Sequence, residues 1–344
     1  GGGQWRPAAV AGHELPTTAA AALSVHTSGS HRGVLVAELQ GWRPAEQDHW
    51  IAQEAVNAMK ATRPTVTFVN FPEIGIVRRG VPAARAARVE KQVLRGLDAD
   101  IGRLMRESRR EGTYKSTIFV VTSGRAFELI GTRMSYRQLS NAVIAAGGQA
   151  TYLAGDGSAL IGLRDPLQAQ PVAQALQADN ASAIDAVYFK SQSGNAWSYS
   201  AQYIAPQVDS NFARACSYLL STAASASSPD VVVVYRPYAG LAPAGQPGGL
   251  TGSLGLQWPV QHVPLILSGH GVYAGRTSSY PARLVDVAPT LETSLGLAPA
   301  GHDGIVLRDA LYGATTGADI QATERKKLDP LTTALQHRAA SVTP

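Results

Sequence analysis

The chain has 344 residues, of which 45% are apolar and only 16% are charged, and its formal net charge is +5. This length is at the upper end for one compact domain, or enough for a core with an inserted lobe. The basic residues are scattered and do not alternate with aromatic residues, so the composition argues against a nucleic-acid-binding protein. The single cysteine, Cys216, cannot form an internal disulfide, and no apolar stretch approaches the roughly 20 residues of a membrane-spanning helix.

In the first part of the chain, apolar strands alternate with amphipathic helices. We predict strands over residues 34–39, 65–69 and 117–121, and helices over residues 49–61 and about 89–104, where apolar residues recur at helical spacing. The last of these strands, Thr117-Ile118-Phe119-Val120-Val121, is almost entirely apolar. A continuous apolar strand after a long helix is typical of a parallel sheet that is buried on both faces.

The middle of the chain predicts a mixture of short helices and short strands. Helical spacing occurs over residues 136–146, 171–178 and 211–224, and strands are predicted over 151–153, 159–163 and 186–190. Later strands at 231–235 and 263–267, and a helix over 284–295, follow on either side of a long Gly/Pro loop. We therefore predict an α/β core formed by residues 1–133 and 226–320, an inserted lobe at 134–225, and a peripheral tail at 321–344. The strands at 65–69, 117–121, 231–235 and 263–267 are expected to share one sheet.

The common catalytic motifs are absent from the sequence. It contains no P-loop, no GxGxxG after a strand, no HExxH and no GxSxG. His26 and His31 lie in one predicted loop, but two loop histidines are a weak metal signal. Generic motifs therefore assign no chemistry to this chain.

Four segments, taken in order, carry a family resemblance. They are residues 68–74 with the helix that ends at 98–104, residues 117–123, residues 261–269, and residues 282–290 followed by Leu295-Gly296-Leu297 and Asp303-Gly304. In order and spacing they resemble the type I phosphodiesterase and nucleotide pyrophosphatase branch of the alkaline-phosphatase-like superfamily. The resemblance implies an α/β sandwich around a mostly parallel central sheet, with a small inserted α+β lobe, and an extracytoplasmic location. It also implies two divalent metal ions, usually zinc, that activate a Thr or Ser nucleophile.

The chain departs from the family pattern where the resemblance places the metal ligands. In the PExDxxGH motif the Asp falls on Gly75 and the His falls on Arg79. In the SDHG motif the Asp falls on Gly124 and the His on Arg125, and the His of the GxHG motif falls on Thr251. The nucleophile position falls on Leu15, or on Thr17 or Thr18 in a shifted alignment. Gly has no donor side chain and Arg stays protonated, so these residues disfavour a bound cation.

We interpret this pattern as a pseudoenzyme without a cofactor, which acts as a scaffold or accessory subunit for another protein or a larger assembly. One alternative is a metal-independent anion- or nucleotide-binding module, in which Arg79 and Arg125 cluster and are neutralised by Glu73, Glu128 or an anion. The other is an active phosphodiesterase, phosphatase or sulfatase-type hydrolase. That alternative needs a rebuilt two-zinc site, for example around His26, His31 and Asp156.

Overall fold

The computed structural model describes residues 23–28, 31–36, 44–75, 83–179, 183–242, 251–252, 254–313 and 318–342. The chain divides into two units, residues 1–117 and residues 118–344. Among the described residues, no helix is both long enough and apolar enough to cross a membrane.

The first unit contains two helices and a three-stranded sheet. Helix α1 spans Pro44–Thr62 and helix α2 spans Ala83–Arg110. The strand order is β1 (Leu23–Ser28), β2 (His31–Val36) and β3 (Val66–Val69), and β1 runs antiparallel and β3 parallel to β2. Ile51 and Ala55, one helical turn apart on α1, are fully buried and pack with Leu104 of α2.

The start of α1 is held by a reciprocal pair of carboxylates. The backbone amides of Gln47 and Asp48 donate to Glu73 Oε1 at 2.9 and 3.1 Å, so Glu73 bonds to the backbone close to the start of α1. In return, the Glu73 amide donates to Asp48 Oδ1 at 3.3 Å. Burial raises the pKa of Asp48 from 3.8 to about 7, although the hydrogen bond from Glu73 lowers it.

This raised pKa predicts a pH-dependent stability. Because folded Asp48 keeps its proton at pH values where the unfolded chain has lost it, Asp48 makes the protein less stable as pH rises from about 4 to about 7. Asp48→Asn keeps the Oδ1 acceptor and removes the ionisation, so it should raise the free energy of unfolding at pH 8 by about 2 kcal/mol. Urea titrations at pH 4 and pH 8 measure the difference, which should vanish at pH 4. An equal gain in Asp98→Asn, on the exposed surface of α2, would contradict this explanation.

The second unit is built on a five-stranded antiparallel sheet. Its strand order is β10 (Ala196–Ile204), β9 (Ile184–Ser193), β11 (Val231–Tyr235), β8 (Ser158–Leu163) and β7 (Ala150–Gly155). β11 lies in the middle and is buried along its whole length. Val231, Val233 and Tyr235 face one layer of helices, whereas Val232 and Val234 face the other.

Helices cover both faces of this sheet. Helices α3 (Tyr136–Ala145) and α4 (Ala169–Asp179) contribute Leu139, Val143, Val172 and Leu176 to one apolar core. Helix α5 (Ser210–Ala223) and the C-terminal helix, α8 (Ala318–Ala340), contribute Phe212, Cys216, Leu220 and Leu335 to the other core. The result is a three-layered α/β/α arrangement.

Three short ladders complete the second unit. β4 (Ile118–Thr122) pairs antiparallel with β14 (Leu265–Gly269). β5 (Glu128–Leu129) pairs antiparallel with β13 (Thr251–Gly252), and β6 (Thr132–Ser135) pairs parallel with β12 (Ala239–Ala242). The short helices α6 (Trp258–Gln261) and α7 (Val287–Ser294) lie on either side of β14 in the sequence.

The expectation that four predicted strands share one sheet is wrong for the described residues. Residues 117–121 and 263–267 overlap β4 and β14, which do pair, but in the antiparallel direction. Residues 65–69 form β3 in the first unit, and residues 231–235 form β11 in the five-stranded sheet. The parallel pairs are β2 with β3 and β6 with β12. An apolar run indicates that both faces of a strand are covered, and helices can cover an antiparallel sheet as well as a parallel one.

Two of the predicted segments have the following places in the structure, and the predicted domain boundaries stay a prediction. Because β11 lies between β9 and β8, the residues 134–225 that we predicted as a separate lobe share their sheet with residues 231–235. The predicted tail at 321–344 belongs largely to α8, where Leu328 and Leu335 are buried. The apolar spacing of Leu328, Leu331 and Leu335 in this mostly polar segment was the signal that it packs against a core.

Candidate functional site

The loop after β4 carries two of the positions that the resemblance assigns to metal ligands. The Ser123 hydroxyl donates to the Arg125 carbonyl at 2.6 Å, and the Ala126 amide donates to the Val260 carbonyl at 3.1 Å. These bonds fix a turn that leaves Gly124 and Arg125 exposed at the edge of a cleft.

A second loop with a predicted ligand position meets the first. In the β5–β13 ladder Thr251 is opposite Leu129, and Gly252 is opposite Glu128. The structure therefore pairs the strand that follows the Arg125 loop with the strand that contains Thr251. That Arg125 and Thr251 share one site stays a prediction.

Asp156 connects the segments around this ladder. Its carboxylate Oδ1 accepts hydrogen bonds from the amides of Gly157, at 2.6 Å, and Leu254, and its carbonyl accepts from the Leu241 amide at 2.6 Å. The packing is tight, because a Cβ atom on Gly252 would lie 2.9 Å from the Gly157 nitrogen. Asp156 thus has a structural role in holding backbone segments together.

Glu128 is a buried carboxyl group beside this ladder. Its Oε1 accepts a hydrogen bond from the Tyr238 amide at 3.0 Å, and no described residue donates a hydrogen bond to its Oε2. Burial raises the pKa of Glu128 to about 7, while the Tyr238 hydrogen bond lowers it. Tyr238 has a φ of 62°, in the left-handed region that non-glycine residues rarely adopt. Sequence reasoning identified Glu128 only as a partner for arginines, and it did not identify Tyr238, because its strained conformation has no signature in the sequence.

The cleft next to Gly124 and Arg125 has a volume of about 1940 Å³. This exceeds the roughly 300–1,000 Å³ of typical small-molecule pockets. Its walls come from α5, α6, β14, α8 and residues 272–285. Exposed apolar side chains line it, namely Leu254, Ile266, Leu284 and Val285, together with the cationic residues Arg125, Arg276, Arg283 and Lys327.

One wall of the cleft is an ion-pair network. Arg283 donates to both oxygens of Asp286, which is fully buried, and to the Tyr218 hydroxyl at 2.8 Å. Glu324 of α8 lies 4.0 Å from Arg283 and 3.7 Å from Lys327. The charges on this wall are therefore largely compensated within the protein, and the network helps to hold α8 against residues 280–286.

The other predicted site residues are located as follows. Leu15, Thr17, Thr18 and Arg79 lie outside the described residues, so the proposed cluster of Arg79 with Arg125 stays a prediction. Gly75 ends a helical turn, and its amide donates to the Pro72 carbonyl at 3.0 Å. His26 and His31 lie on β1 and β2 of the first unit, whereas Asp156 belongs to the second unit.

The residues at the described positions do not fit the two metal ions that the resemblance implies. Gly75 and Gly124 have no side-chain donor, and the Arg125 guanidinium keeps its positive charge. Within the described ranges, no group of three or more His, Cys, Asp or Glu residues is arranged to hold a metal ion. We therefore assign no reaction step to a metal at these positions.

Comparison with known proteins identifies the fold. No family model matches the sequence, and no curated protein matches it either. Among solved structures, the chain is similar to wild-type alkaline phosphatase PafA, with a TM-score of 0.55 and 14% identity over 78% of this chain and 53% of PafA. A quadruple mutant of PafA gives the same TM-score. The phosphonoacetate hydrolase of Sinorhizobium meliloti 1021, bound to phosphonoformate, gives a TM-score of 0.42 and 12% identity over 68% of this chain and 52% of the hydrolase. The chain thus spans about half the length of these proteins.

The likeness to PafA corrects one prediction and confirms another. The expectation that the protein has no cofactor is contradicted, because PafA is a metal-dependent enzyme, and we withdraw it. The predicted fold class is confirmed, although the five-stranded sheet is antiparallel and parallel pairing among the described strands is limited to β2 with β3 and β6 with β12. This chain has the alkaline-phosphatase-like fold.

Proposed function

We propose that this chain is a binding protein on an alkaline-phosphatase-like fold, and that it does not hydrolyse phosphate monoesters, phosphodiesters or sulfate esters. One observation carries the proposal. The loop after β4 opens on the large cleft with Gly124 and Arg125, where the resemblance places an Asp and a His. A glycine and a guanidinium supply neither a general base nor a metal donor at this edge.

The size and lining of the cleft support a partner larger than a metabolite. Ile266 and Val285 are 56% and 48% exposed within it. Contiguous exposed apolar side chains with a polar rim are typical of protein-binding surfaces. The partner is therefore proposed to be another protein, and an extracytoplasmic location, which the resemblance implies, stays a prediction.

An activity assay tests the catalytic part of this proposal. The protein is incubated with added zinc and with nitrophenyl phosphate, bis-nitrophenyl phosphate or nitrophenyl sulfate, and PafA is the positive control. We expect no product above the protein-free blank, because Gly124 and Arg125 provide no metal ligand however much zinc is added. A variant with Gly75→Asp, Arg79→His, Gly124→Asp, Arg125→His and Thr251→His should also be inactive, because the nucleophile position is predicted to be Leu15. Turnover by the unchanged protein that a chelator abolishes and zinc restores would refute the proposal.

Selection from a displayed peptide library, with the unchanged protein as the target, tests the binding part of the proposal. Peptides selected on the unchanged chain should lose binding to Ile266→Glu, which places a charge in the cleft. The matched control is Leu167→Glu, at an exposed leucine that does not line the cleft. Selected peptides that bind both variants equally would show that the cleft is not the binding surface.

A further inference from the structure

Helix α2 carries a row of cations near its N-terminal end. Arg88, Lys91 and Arg95 are all exposed, and their spacing of three and four residues places them within about 60° of one another around the helix. Together with Gln92 they line a shallow depression of about 360 Å³. We call the three cations the α2 basic stripe; it extends about 10 Å along the helix axis.

Among the described residues, no ion pair involves a cation of the α2 basic stripe, although the exposed Asp98 follows Arg95 by three residues. The ion pairs that α2 makes with described side chains lie further along the helix and involve Asp100, Arg103, Glu107 and Arg110. The first turn of α2 contains no acidic residue. Like charges at these spacings destabilise a helix by roughly 0.2–0.5 kcal/mol per pair, so this arrangement is unfavourable in the isolated chain and an external anion would relieve it.

The surroundings of the α2 basic stripe favour one class of partner. Leu94 is 48% exposed and lies one turn from Lys91, so an apolar contact is available beside the charges. No aromatic residue accompanies the stripe on α2, as base stacking of single-stranded nucleic acid would require. One exposed leucine offers little apolar area for insertion into a membrane.

We propose that the α2 basic stripe is a docking surface for an acidic segment of a partner protein, in which carboxylates pair with Arg88, Lys91 and Arg95 and an apolar residue contacts Leu94. The two arginines suit bidentate pairing with carboxylates. This surface belongs to the first unit and is independent of the cleft in the second unit, so it remains valid if the assay for hydrolysis gives a positive result.

Fluorescence anisotropy with a labelled Glu-Glu-Leu repeat peptide tests this surface. We expect the unchanged chain to bind the peptide, and the variant with Arg88→Glu, Lys91→Glu and Arg95→Glu to bind at least about tenfold more weakly. Binding should weaken as salt is added, because exposed charges are screened. The matched control carries Lys115→Glu, Arg137→Glu and Arg164→Glu, which make the same charge change at exposed positions outside helix α2, and it should bind within about twofold of the unchanged chain.

Three results would overturn the proposal. They are failure of the unchanged chain to bind the peptide, equal losses in both triple variants, and stronger binding to duplex DNA or anionic lipid vesicles than to the peptide. Circular dichroism checks the fold of each variant. If the charge reversal impairs folding, the variant with Arg88→Gln, Lys91→Gln and Arg95→Gln takes its place, and its expected loss of binding is the same in direction.

Discussion

Replacing Arg338 by Met should lower the free energy of unfolding by about 3–5 kcal/mol, because it leaves the Asp185 carboxylate buried without its counter-charge. Asp185 is fully buried, and Arg338 of α8 donates to both of its oxygens, at 2.8 and 2.6 Å. Met retains much of the apolar stem of Arg338, so the loss of free energy of unfolding measures mainly the ion pair with Asp185. Urea titration followed by circular dichroism measures the change.

Two further variants make the Arg338 prediction specific. Arg325→Met also removes an α8 ion pair and a hydrogen bond to Ser279, but Arg325 is only half-buried and Asp329 is exposed, so the loss should be below about 1 kcal/mol. Adding Asp185→Asn to Arg338→Met removes the uncompensated charge and should recover part of the stability. A loss in Arg338→Met no larger than that in Arg325→Met would mean that α8 does not depend on this pair.

Gly304→Ala is expected to destabilise the second unit by about 3 kcal/mol or more. A Cβ atom on Gly304 would lie 2.0 Å from the Val285 carbonyl oxygen, much closer than any real contact. The neighbouring Ile305 amide donates to Asp286 Oδ1 at 2.9 Å. The added methyl group therefore forces the backbone away from Asp286 and weakens its hydrogen bonds.

The matched control for this substitution is Gly124→Ala. Gly124 has no atom within 4 Å of its would-be Cβ, and no positive φ restricts it. The free energy of unfolding of the Gly124→Ala variant should change by less than about 0.5 kcal/mol, as for an ordinary surface substitution. Thermal melts of the two variants give the comparison. Equal melting temperatures for Gly304→Ala and the unchanged chain would show that the close approach to Val285 relaxes without cost.

The same contact explains part of the family resemblance in physical terms. The sequence pairs Leu284-Val285-Asp286 with a distant Asp303-Gly304, and the structure shows why the two belong together. Asp286 accepts from the Ile305 amide, and Gly304 allows the backbone to approach Val285. Motifs that keep two backbone segments in contact were therefore good predictors of the fold.

The candidate site was predictable only in part. Gly124, Arg125 and Thr251 were assigned to strand-end loops. The structure places Gly124 and Arg125 in the loop after β4 and Thr251 in β13 opposite Leu129, and a site shared by them stays a prediction. The sequence did not predict that Asp156 accepts hydrogen bonds from the backbone amides of Leu241 and Leu254, because both residues are far from it in the sequence. The cleft was missed for the same reason, because its walls come from five separate stretches of the chain.

The sequence by itself determined several of the elements and their buried faces. The run Val231-Val232-Val233-Val234-Tyr235 required a strand covered on both sides, and the spacing of Ile51 and Ala55 required a helix with one buried face. Only the tertiary structure decided strand order and direction, because a strand with two apolar faces can pair with either a parallel or an antiparallel neighbour. It also decided that α8 is held against the second unit, since the Asp185–Arg338 pair joins residues 153 positions apart, and periodicity reports nothing about contacts at such distances.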